Sequence, residues 1–120
     1  MEYSREIIAR VCHEAVRAFC QVRGDDSLEP WEAAPAWQRD SSLQAVDDGL
    51  AGRVTTPRQS HEAWVRVKEA DGWVLGEVKD AARKTHPSLI PFDRLPADER
   101  IKDSLICAVI GAFREGRSVG

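Results

Sequence analysis

The 120-residue sequence lacks the features that mark several broad classes of protein. It has no long apolar run, so we expect no membrane-spanning helix and no membrane partner. The segment Met1–Glu6 carries acidic residues and no apolar signal core, which predicts a cytoplasmic protein. Only three cysteines are present, Cys12, Cys20 and Cys107, and they are far apart in sequence. This pattern predicts reduced thiols rather than disulfides.

The sequence also lacks the residue patterns of metal sites, phosphate loops and nucleophilic catalysis. It contains no CxxC or HxxxH spacing, and Cys12 and His13 are adjacent on a predicted helix, so their side chains diverge. A tryptophan follows Gly72 where a phosphate-binding loop needs exposed backbone amides. Cys12 and Cys107 fall within apolar stripes, where a thiol is inert. We therefore expect no metal, no cofactor and no enzymatic activity.

The charge balance narrows the choice of partners. The chain has 17 basic and 20 acidic residues and a formal net charge of -3, which argues against binding to duplex nucleic acid. Its hydrophobic and charged fractions, 42% and 31%, are those of an ordinary globular protein. The length predicts one domain over residues 1–120, with a helical N-terminal half (1–50) and a second half (56–115).

Hydrophobic periodicity predicts a mainly α domain with about four helices, a short β-hairpin and an ordered proline-containing loop. Thr56 and Gln59, three residues apart with a proline between them, have the form of a capping box. The β-prone segment 73–78 predicts a strand or hairpin arm, and residues 79–96 predict the loop. The predicted helices are Ser4–Val22, one that begins at Pro35 and fades at 47–49, Thr56–Ala70, and one that begins at Pro96.

One group of aromatic and basic side chains suits a ligand pocket. The spacing of His61, Trp64 and Lys68 places them on one face of the third helix. A tryptophan face would stack a base, and the lysines and imidazoles would bind phosphate. The predicted pocket residues are His61, Trp64, Lys68, Trp73, Lys84 and His86. The alternative is structural: both tryptophans would be core anchors, and His86 would bond the backbone of its own loop.

The first half contains two tryptophans near prolines. Trp31 directly follows a proline, and Trp37 follows a proline-alanine pair. One interpretation is that they pack the two halves together. The other is that they form an exposed aromatic patch for a partner or a second protomer.

The second half carries an ordered series of motifs: a helix signature, a Gly-Trp turn and a His-Pro segment. Its residues are His61-Glu62, Trp64, Lys68, Gly72-Trp73, Gly76, Lys79-Asp80, Lys84-Thr85-His86-Pro87, Leu89, Pro91-Phe92, Leu95-Pro96 and Asp103. This series resembles the RyR domain, the repeat first named in ryanodine-receptor calcium channels and also found as small bacterial and phage proteins.

The resemblance implies a non-catalytic recognition module. In the channels such repeats form peripheral domains, one of which accommodates an adenine nucleotide, and nucleotide-derived signals are the proposed ligands of the microbial versions. Leu75 and Phe92 stand where the family often has tyrosine, so this chain cannot make a ligand contact through those hydroxyls.

We therefore predict a cytoplasmic sensor that binds a nucleotide-derived small molecule between the third helix and the His-Pro loop. The alternative is a protein-interaction or self-assembly module, such as a homodimer, with no small-molecule ligand.

Overall fold

The computed structural model describes residues 3–119, with side chains for residues 3–115. The predicted domain of residues 1–120 thus includes positions 1, 2 and 120, which lie outside the described residues. The observed helices are α1 (Arg5–Val22), α2 (Ala36–Leu50), α3 (Pro57–Ala70) and α4 (Ala97–Val119). Two-residue strands β1 (Val74–Leu75) and β2 (Thr85–His86) follow α3, and short 3-10 turns cover Trp31–Ala33 and Phe92–Arg94. The mainly α fold with four helices is confirmed.

Side-chain caps fix where two of the helices begin. The Ser4 hydroxyl accepts a hydrogen bond from the amide of Ile7 at the start of α1. The Thr56 hydroxyl accepts from the Gln59 amide, and the Gln59 side chain accepts from the Thr56 amide, which confirms the capping box. Such caps satisfy amides that have no partner within the helix.

The second helix is longer than predicted. It continues through residues 47–49 to Leu50 instead of fading there. The acidic residues that suggested an end are paired: Asp47 accepts two hydrogen bonds from Arg5 of α1, and Asp48 accepts one from Arg53. These pairs neutralise the carboxylates near the C-terminal end of the helix, where negative charge is unfavourable.

The predicted β-hairpin is wrong in one respect, because β1 and β2 are parallel. Val74 pairs with Thr85 and Leu75 with His86. The chain therefore reverses direction twice between the strands. At one reversal, the backbones of Asp80 and Thr85 exchange two hydrogen bonds around a tight turn. This turn ends at Lys84, whose φ is 55°. The second reversal returns the chain in the direction of β1.

The core lies where α1, α2 and α4 meet. Its buried residues are Ile8, Ala9, Cys12, Trp31, Val46 and Ile110. Trp37 contacts the second half, since its ring lies 5.9 Å from that of Trp73, whereas Trp31 is buried in the core cluster with its ring edge to face against His13 of α1. The first interpretation, packing between the halves, therefore describes Trp37, whereas the ring partner of Trp31 lies within the first half. No helix in the described part of the chain is long and apolar enough to cross a membrane.

Candidate functional site

A cleft between the two halves contains two adjoining chambers. The first has a volume of about 170 Å³ and is enclosed by α1, α2, α3 and the segment around the strands. Its charged residues are Lys68 and Lys79, and none of the described residues that line it is acidic, so we call it the cationic chamber. The second, about 350 Å³, contains Asp25, Glu99 and Asp103, and we call it the acidic chamber.

Lys68 is the central charged group of the cationic chamber. Only 6% of the residue is exposed, and its Nζ lies 4.3 Å from the ring centroids of both Trp37 and Trp73. Burial and then the charge of Lys79 lower the pKa of Lys68, whereas the two indole faces stabilise its ammonium. Among the described residues no carboxylate forms an ion pair with it. The charge of Asp71 raises the pKa of Lys68 and so partly offsets this lowering. The site therefore holds a buried cation that is stabilised mainly by aromatic faces and not by an ion pair.

Trp73 has a different role from the one predicted. It is buried, and its Nε1–H donates to the carboxylate of Asp71. Its ring face lies against Lys68, so the same face cannot also stack a base. The indole thus forms a wall of the lysine cage together with Trp37, which the sequence prediction left out of the site.

His86 lines both chambers. Its Nδ1 accepts a hydrogen bond of 3.0 Å from the Ser88 amide, so in the neutral ring the proton is on Nε2. Burial lowers the pKa of His86 to about 4, assisted by the charges of Lys79 and Lys68. At neutral pH the ring therefore offers a hydrogen-bond donor but no positive charge. The predicted alternative, that His86 bonds its own loop, describes the Nδ1 contact.

His61 is held by structural contacts. It is buried, its Nε2 lies 2.6 Å from the carbonyl oxygen of Ile90, and its Nδ1 lies 4.0 Å from Asp103. These contacts join α3 to the proline-containing loop and to α4. His61 also lines the acidic chamber, where burial raises the pKa of Asp103 to about 6.

Trp64 stands at the junction of the two chambers. His61 stacks on it with centroids 5.7 Å apart, and His86 meets it edge to face at 4.8 Å. The indole is thus held between two imidazoles and separates the chambers as a shared wall.

Lys84 does not line either chamber. Its Nζ donates to the backbone carbonyl of Asp71 at 2.8 Å and lies 3.4 Å from the Asp71 carboxylate. Lys79, which the sequence prediction left out of the site, lines both chambers. Its position between the strands depends on the double chain reversal, and no periodicity in the sequence marks it.

The chain matches a model of a known protein family. The model of the RyR domain matches residues 40–108, more than half of the 120-residue chain. The match begins within α2, upstream of the residues on which the resemblance was recognised, and ends within α4. It includes Trp64, Lys68, Trp73, Lys79 and His86, the residues around the cationic chamber. The chain therefore belongs to the RyR domain family.

Proposed function

We propose that this RyR domain is a non-catalytic cytoplasmic sensor that binds a phosphate-bearing, nucleotide-type small molecule in the cationic chamber. One observation carries the proposal. Lys68 is a buried cation held between two indoles without a carboxylate partner. Desolvating an ammonium is costly, and an anion bound beside it would recover part of that cost.

The surrounding groups suit a phosphate. Lys79 adds a second positive charge, and the neutral His86 ring adds an N–H donor from its Nε2. Charge-assisted hydrogen bonds of this kind are the strong ones in anion recognition. The cationic chamber alone is smaller than ordinary ligand sites, which occupy about 300–1,000 Å³. The adjoining acidic chamber supplies further room.

The chemistry of the chamber favours binding over reaction. Cys12 is the thiol that lines it, and burial raises the pKa of Cys12 to about 12. A thiol that stays protonated is a poor nucleophile. His86 is held as a neutral hydrogen-bond partner of Ser88, with its Nδ1 already engaged. The net charge and the small, enclosed site also favour a small ligand over duplex nucleic acid or a membrane surface.

Calorimetric titration with a panel of nucleotides, cyclic nucleotides and ADP-ribose derivatives tests the proposal. Lys68→Met removes the charge but keeps a linear side chain between the indoles. We expect it to weaken binding by about tenfold or more, the size of one charge-assisted hydrogen bond. Lys84→Met is the matched control, since Lys84 lies outside the chamber, and it should bind as the wild type does. Failure of the whole panel to bind, or unchanged binding by Lys68→Met, would refute the proposal.

The second candidate function is self-assembly through an exposed apolar patch. Val74 and Leu75 of β1 and Val78, which follows in the sequence, are 58%, 60% and 69% exposed. Neighbouring exposed apolar residues are typical of interaction surfaces. A homodimer built on this patch should appear in light scattering at twice the monomer mass and should dissociate in Leu75→Lys. A monomer mass over the whole concentration range would rule this candidate out.

A further inference from the structure

A third cavity adjoins the cleft and has a different chemical character. It has a volume of about 120 Å³ and lies between α2, α3 and α4. Its apolar wall includes Ala63, Trp64, Val67, Ile106 and Ile110, and we call it the apolar slot. This size is close to that of an engineered apolar cavity of about 150 Å³ that binds benzene. The slot could therefore hold one flat ring.

The slot and the cationic chamber share a wall. Five residues line both cavities: Ser41, Ser42, Ala45, Trp64 and Ile106. A molecule with an anionic group beside Lys68 would therefore need only a short link to place a second group in the slot. The wall consists of small side chains on α2 and of two larger ones on α3 and α4.

One face of each indole in the cleft is covered by another side chain. Lys68 lies against Trp37 and Trp73, and His61 stacks on Trp64. Stacking on Trp73, as the sequence predicted for a base, would displace the lysine that the phosphate needs. The slot offers a flat group of the ligand another surface close to Lys68, one that leaves the lysine in place.

The slot also offers polar groups to a heterocycle. The Asp103 carboxylate and the Ser60 hydroxyl both line it. Although burial raises the pKa of Asp103 to about 6, the group is mostly ionised at neutral pH. A buried carboxylate oxygen accepts hydrogen bonds from amino or ring N–H groups. A ring with an N–H group could therefore donate a hydrogen bond to this carboxylate, whereas a purely hydrocarbon ring could not.

We infer that the apolar slot receives a flat, nitrogen-containing ring of the same ligand whose anionic group binds beside Lys68. The inference rests on the proposed function and adds to it the place and the chemistry of the second group. The ligand class is a heterocycle joined by a short polar linker to a phosphate, with an N–H donor on the ring that meets Asp103.

The test compares AMP with ribose phosphate, which lacks the ring, by calorimetric titration. The wild type should bind AMP at least about tenfold more tightly, the effect of burying roughly half of a base. Ala63→Leu fills the slot without touching Lys68 and should reduce AMP binding to the level of ribose phosphate. Gly111→Leu is a second slot-filling variant, because a Cβ at Gly111 meets nothing closer than Arg114 Nη2 at 4.0 Å.

The outcomes separate the two proposals. Equal binding of AMP and ribose phosphate by the wild type, or a preference for AMP that survives both slot-filling variants, overturns the inference. If neither compound binds, the proposed function fails for these ligands. Methyl NMR with benzimidazole as the probe then tests whether the slot binds a flat ring. Shifts at Ala63 and Ile110, with none at the exposed Val22, would support the slot as a ring site. Absence of shifts at Ala63 and Ile110 would overturn it.

Discussion

Replacing Gly49 by alanine should destabilise the domain, although alanine normally stabilises a helix. A Cβ built on Gly49 of α2 lies 2.4 Å from Cγ2 of Ile110 on α4 and 3.3 Å from its Cβ. Both residues are buried, and the β-branched side chain of Ile110 strongly prefers one rotamer within a helix, so turning away from the new methyl group is costly. The close approach of α2 and α4, which also forms one side of the apolar slot, therefore depends on glycine at this position.

The expected change in the free energy of unfolding combines a cost of overpacking with a gain in helix propensity. Overpacking a core typically costs about 1–3 kcal/mol. Alanine recovers up to about 1 kcal/mol relative to glycine within a helix. Because the contact distance is far below van der Waals separation, we expect a net loss of about 1–2 kcal/mol in the free energy of unfolding. This corresponds to a fall in Tm of roughly 5 °C for a domain of this size.

Urea denaturation followed by circular dichroism measures the loss. Gly111→Ala is the matched control on α4, since its added Cβ meets no atom closer than 4.0 Å. This variant should have a free energy of unfolding about 0.5–1 kcal/mol higher than that of the wild type. On an Ile110→Ala background, which removes the clashing methyl, Gly49→Ala should cost little. Equal stability of Gly49→Ala and Gly111→Ala, or additivity with Ile110→Ala, would refute the reasoning.

Two further predictions concern pH and helix capping. The folded-state pKa of Asp103 is about 6, above its ordinary value of 3.8, so ionising it costs folded stability as pH rises through this window. Asp103→Asn removes that cost, and we expect its stability relative to the wild type to rise by about 1–3 kcal/mol between roughly pH 4 and pH 7. Burial lowers the pKa of His86 to about 4, so its titration makes the folded state more stable as pH rises, but this contribution is the same in the wild type and the variant. A difference in denaturation midpoint that stays constant across the pH range would contradict the raised pKa of Asp103. Thr56→Ala should lower the free energy of unfolding by about 1 kcal/mol, because it removes the hydroxyl that accepts a hydrogen bond from the backbone amide of Gln59. Thr56→Ser keeps a hydroxyl there and should match the wild type in thermal melts. If the serine and alanine variants melt together, the capping box does not stabilise α3.

The sequence was sufficient for the elements that depend on local interactions. Ser4 and Thr56 supply oxygens to amides three residues away, so both helix starts are encoded within a single turn. The apolar stripe of α1 follows directly from the spacing of its residues. The family was recognisable for the same reason, because its motifs occur in order along the chain.

Only the tertiary structure decided how the candidate site is assembled. The parallel pairing of Val74 with Thr85 depends on two chain reversals, and these bring Lys79 rather than Lys84 to the chambers. The cage around Lys68 joins Trp37 of α2 to Trp73, which follows α3, across 36 positions of sequence. Contacts between such distant residues depend on how the helices pack, and the pattern within each helix does not specify that packing.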